Sequence, residues 1–123
     1  MQIIKCKFNF EECERKIKDQ ISKLGATVFF EVDHKKNAEE VGLQLDKCKV
    51  IYFGNPRVGT LLMQKKIEVS YDLPLRVAIW EKGGEVYVEY KMPSEIAKEY
   101  NVEADIVKKM DEFMSSVTRV LIS

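Results

Sequence analysis

His34 is the only histidine in the chain and directly follows Asp33. An imidazole exchanges its proton near neutral pH, so the pair has the composition of a general base oriented by a carboxylate, with Asp72 as a second orienting candidate. The same residues equally suit a surface histidine beside a helix-capping aspartate. One imidazole cannot assemble a multi-histidine metal site, and the spacings HxxE and HxH do not occur, so neither a metal nor another cofactor is expected.

The second cluster is "GNPRVGT", Gly54 to Thr60, set between the apolar run "KVIYF" and "LLMQKK". A phosphate loop requires a lysine between its second glycine and the following Ser or Thr; here Thr60 follows Gly59 directly, so nucleotide hydrolysis is not expected. Each residue fits a strand-to-helix turn instead. Gly54 lets the chain turn, Asn55 caps, and Pro56 occupies the first helical position, where its missing N–H costs nothing. Such a turn also exposes backbone N–H groups able to hold a carboxylate or phosphate, with Arg57 adding charge. Gly54, Asn55, Arg57, Gly59 and Thr60 are therefore candidate ligand contacts, and turn and anion site both remain open readings.

Trp80, Tyr87 and Tyr90 can stack a flat ligand, although such residues more often pack under a helix or at a subunit interface. Cys6, Cys13 and Cys48 are odd in number and include no CxxC pair, which indicates neither a disulfide framework nor a zinc ribbon. Cys48, flanked by Lys47 and Lys49, has in sequence the neighbouring cations that a reactive thiolate needs.

The elements that must hold these residues follow from periodicity. "IIKCKF" alternates as a half-buried strand, Asn9 and Glu12 form a capping box, and Phe10, Cys13, Ile17, Ile21 and Leu24 recur at helical spacing up to Gly25. "ATVFFEV" predicts a second strand with Val28, Phe30 and Val32 on one face, followed by a weak helix ending at Gly42 and a third strand, "CKVIYF". After the 54–60 turn and its short helix, "DLPLRVAIWE" and "EVYVEY" flank "KGG" as a hairpin, with Leu75, Val77, Ile79, Val86 and Val88 on one face and Ala78, Trp80, Tyr87 and Glu89 on the other. A short helix opens at Pro93, and an amphipathic helix carries Val102, Ile106, Met110, Phe113, Val117 and Leu121. Residues 1–123 thus predict a single α+β domain: a mainly antiparallel sheet with helices packed on one face.

Charge removes one class of partner. Twenty Lys plus Arg balance twenty Asp plus Glu, so no global field gathers a nucleic-acid backbone. No apolar run approaches the ~20 residues of a bilayer span, so no membrane partner is expected. The opening "MQIIKCKFNF" lacks a basic region followed by a long apolar stretch, which makes the cytoplasm the expected location.

"DH" at 33 and 34, "AEEVGLQL" from Ala38, "FGNPRVGTLLMQ" from Phe53 and "DLPLRVAIWE" from Asp72 resemble, in order and spacing, the family called domain of unknown function 302, over roughly residues 5 to 101. The resemblance implies a fold similar to the TATA-binding-protein-like architecture, a homodimer, and no established activity. It carries over Asp33, His34, Gly54, Asn55, Pro56, Gly59, Thr60, Met63, Asp72, Pro74 and Trp80. Leu61 stands where the family often has proline, and Tyr100 with Asn101 stand where it often has histidine, which puts a two-histidine mechanism in doubt.

Two functions compete at this stage. One is a homodimeric binding module that takes a small, anionic or apolar molecule, or a protein partner, near His34 and the 54–60 turn. The other is a hydrolase-like enzyme in which His34 is the base, Asp33 or Asp72 orients it, and N–H groups around Gly59 stabilise an oxyanion.

Overall fold

Alternation sets the first strand: β1 (Gln2–Cys6) buries Cys6 and leaves Lys5 in solvent. Asn9 Oδ1 then accepts the Glu12 N–H at 2.9 Å and starts α1 (Phe10–Lys23). Phe10, Cys13, Ile17 and Ile21 form its buried stripe, and Gly25, at φ 77°, ends the segment in a left-handed conformation that disfavours any side chain. The computed structural model describes residues 1–122. Further along are β2 (Thr27–Asp33), α2 (His34–Glu40), β3 (Cys48–Gly54), α3 (Pro56–Lys65) and a 3-10 turn (Ile67–Asp72), then the hairpin β4 (Leu75–Lys82) and β5 (Glu85–Tyr90), then α4 (Pro93–Glu99) and α5 (Ile106–Arg119).

The five strands make one antiparallel sheet in the order β1-β5-β4-β3-β2. Leu75, Val77, Ile79, Val86 and Val88 are buried, as the hairpin alternation predicts, and they join the stripes of α1 and α5 in one core. Gly83 and Gly84, at φ 59° and 79°, make the tight turn between the two strands. Ala78, Trp80, Tyr87 and Glu89 occupy the outer face, each half-buried. The α+β class, the antiparallel sheet and the one-sided helical cover are those expected from the sequence.

Two elements differ from the expectation. The register of β2 against β3 shifts between Val28 and Phe30, so Val28 packs on the core while Phe30 turns outward and stacks on Tyr52 with ring centroids 4.3 Å apart. A bulge inserts one residue, and a period-2 face assignment reverses beyond it. The last helix begins at Ile106 rather than at Val102, because Asn101 adopts a left-handed φ of 54° and breaks the chain from α4; Val102 is buried all the same.

The reversal also turns Glu31 towards α1, where Lys18 bridges Glu14 and Glu31 at 2.7 Å each and Lys49 of β3 meets the same carboxylates at 2.9 and 3.4 Å. Hydrogen bonding from Lys18, with further charge from Lys49, holds the Glu31 carboxyl below its ordinary value of 4.5. A carboxylate depressed in the folded state stabilises above its unfolded pKa and loses that contribution as pH falls through the folded one. Glu31→Gln is therefore expected to be less stable than the wild type at pH 7, with the gap closing as pH falls below 4.5. Urea midpoints of both proteins at pH 7 and pH 3 measure it, and an equal gap at both pH values would refute the clamp.

Candidate ligand-binding site

The 54–60 segment folds as its residue types dictate. Asn55 Oδ1 accepts the Arg57 N–H at 3.0 Å, Pro56 takes the first helical position of α3, and the Gly59 N–H donates to the Asn55 carbonyl at 3.0 Å. The Gly59 N–H is thus consumed inside the helix and is not free for an oxyanion. Arg57 is exposed on the first turn.

What the turn does form is one wall of a cleft of about 540 Å³. Gly54, Asn55, Gly59 and Thr60 line it from β3 and α3; Leu73 and Pro74 close it from the segment after the 3-10 turn; Phe29 reaches in from the β2 bulge. The far wall is α5, through Ile106, Lys109, Met110 and Phe113. Phe53 is fully buried and holds its ring 5.9 Å from that of Phe113, joining sheet to helix at the base. Gly59 adds room: a Cβ there would come only within ordinary contact of Leu73 Cδ1 and Met63 Cε, at 3.9 and 4.0 Å.

The other candidates lie elsewhere. Thr27 pairs with Gly54 and Asp33 with Lys49, so His34 stands at the opposite end of β2, roughly 20 Å from the turn at about 3.3 Å per strand residue. Asp33 caps α2 through the Lys36 N–H at 3.0 Å, and the exposed His34 side chain has no hydrogen bond or ion pair among the described residues. An apposition of His34 with Gly59 is therefore absent. Asp72 is buried but belongs to a separate depression on the outer side, where its carboxylate accepts from the Tyr100 hydroxyl at 2.9 Å and pairs with Arg76 at 3.5 Å. Tyr100, one of the two residues at the family's usual histidine position, is in this way occupied by a structural contact. Trp80 lies on the outer face, stacked on Tyr87 with centroids 4.7 Å apart.

Cys48 also sits on the outer face. Strand alternation sends its neighbours the other way, Lys47 to Glu11 and Lys49 to Glu14. Burial, and then the charges of Asp33 and Glu89, push the Cys48 thiol above its ordinary value, which is the reverse of an activated thiolate. Sequence reasoning missed Phe29, Leu73 and the α5 residues of the cleft. One signal was available: Lys109 falls at helical spacing among Ile106, Met110 and Phe113, a cation on the edge of an apolar stripe.

A solved structure shares this architecture. The crystal structure of an uncharacterized conserved DUF302 protein from Bacillus stearothermophilus has a TM-score of 0.81 to this chain, covering 98% of it and 94% of that chain at 13% identity, a likeness of fold alone. Among curated proteins the chain is similar to the fluoride-specific ion channel FluC 1 of Brucella suis biovar 1, at 32% identity over 120 residues, 94% of this chain and 47% of that protein. FluC 1 of Brucella abortus biovar 1 matches at the same 32% identity, with 44% of its length covered. The chain spans less than half the length of these relatives, and among its described residues no helix is long and apolar enough to cross a membrane. Residues 2–118 match the model of the family described as domain of unknown function DUF302, and the chain belongs to that family.

Proposed function

We propose that this chain is a homodimeric, non-enzymatic binding module of the cytoplasm that holds a small molecule in the cleft between the 54–60 turn and α5. The cleft carries the proposal: about 540 Å³, within the ~300–1,000 Å³ usual for small-molecule sites, and lined mainly by apolar side chains. Among the described residues Lys109 is the one ionisable side chain that lines it; the Thr60 and Ser70 hydroxyls stand there without a histidine or carboxylate to activate them, so binding is favoured over hydrolysis. The unpaired Cys6, Cys13 and Cys48 suit a reducing compartment. The dimer reading rests on the outer sheet face, where Phe30, Tyr52, Trp80 and Tyr87 stack in pairs and Arg76 and Glu89 offer one charge of each sign for a two-fold axis to oppose.

A neutral fluorescent probe, N-phenyl-1-naphthylamine, tests the cleft. The wild type is expected to bind it, and Gly59→Phe, whose ring fills the cleft, is expected to weaken binding at least tenfold while keeping the wild-type circular dichroism spectrum. Failure of the wild type to bind, or unchanged binding by the folded variant, would overturn the site.

A further inference from the structure

We infer that the ligand is an amphipathic carboxylate: an apolar chain or ring body seated in the cleft, with a single carboxylate at its mouth on Lys109. This assignment rests on the cleft being the binding site and adds the chemical class of what enters it. The base is built from buried Phe53, Leu75 and Met110, which accept hydrocarbon and offer no partner to a polar body. At the mouth the charged side chain that lines the cleft is a cation. Lys109 is exposed and its ammonium makes no ion pair or hydrogen bond among the described residues, although Asp105 and Glu112 lie one turn away on the same helix.

Among the described residues no carboxylate lines the cleft, so the charge an entering head group meets at the wall is that of Lys109, with the carboxylates of Asp105 and Glu112 a turn further off. Lys109 lines the cleft together with Ile106 and Met110 and is exposed, a placement in which a lysine can cover an apolar rim with its stem and keep its head in water. A carboxylate there gains a charge-assisted hydrogen bond without leaving solvent entirely, which limits its desolvation cost. A neutral alcohol of equal length fills the same space and forgoes that bond.

Calorimetric titration with octanoate, 1-octanol and octylamine separates the cases. The wild type is expected to bind octanoate about tenfold more tightly than octanol, and octylamine more weakly than either. Lys109→Met keeps the apolar stem and is expected to bring octanoate to the level of octanol, while Lys109→Arg keeps the preference. Equal binding of octanoate and octanol by the wild type, or a preference that survives Lys109→Met, would overturn the inference. If the naphthyl probe binds and no octyl compound does, the cleft stands and the carboxylate class falls; if nothing binds, both fall together.

Discussion

Phe53→Ala is expected to lower the free energy of unfolding by about 3–5 kcal/mol, the usual loss for deleting a buried aromatic ring. Phe53 has no exposed surface, pairs across the sheet with Val28 and Leu75, and meets Phe113 of α5. The variant therefore gives up both hydrophobic transfer and the contact that anchors α5 to β3. Because the void left behind opens on the cleft, water can enter it, and the loss should fall in the lower half of that range. Against a total of roughly 6–18 kcal/mol for a chain of this length the protein should still fold. At a urea slope of about 1–3 kcal/mol/M its midpoint should drop by at least ~1 M. Phe53→Leu should retain most of the difference. A loss below about 1 kcal/mol would mean that the ring is not packed as described.

Trp80→Ala is expected to turn the proposed dimer into a monomer. Trp80 stands near the middle of the outer face, opposite Cys48 on one neighbour strand and Tyr87 on the other. A two-fold interface uses each residue twice, so truncating an aromatic anchor worth about 2 kcal/mol costs about 4 kcal/mol, roughly a thousandfold in dissociation constant. Sedimentation at tens of micromolar should give the mass of two chains for the wild type and of one chain for the variant, with the circular dichroism spectrum preserved. A monomeric wild type at that concentration would sink the dimer, and an unchanged mass for Trp80→Ala would move the interface off this face. The cleft test does not depend on either result, since Gly59 and Lys109 belong to the helical side of the sheet.

The legible parts were those set by neighbours along the chain. Asn9 and Asn55 are caps because their side chains reach N–H groups two or three residues on, and the β4–β5 hairpin follows from strict alternation around Gly83 and Gly84. The β2 face was misread because the bulge at Phe29 is stated by the partner strand and not by the composition of β2. Adjacency to Lys47 and Lys49 in sequence makes Cys48 look activated, but a strand sends consecutive side chains to opposite faces, so the two ammonium groups are not its neighbours in space.

The site divides along the same line. Sequence by itself determined the α+β class, the capped turn from Gly54 to Thr60, and the absence of a phosphate loop, since each depends on residue type and short spacing. Only the tertiary structure decided that this turn faces α5, with Ile106, Lys109, Met110 and Phe113 across a cleft, and that His34 is at the far end of β2. The reason is physical. Which residues share a cavity depends on strand register and helix docking, and both are set by contacts between segments some 50 residues apart in the chain, which no local pattern records.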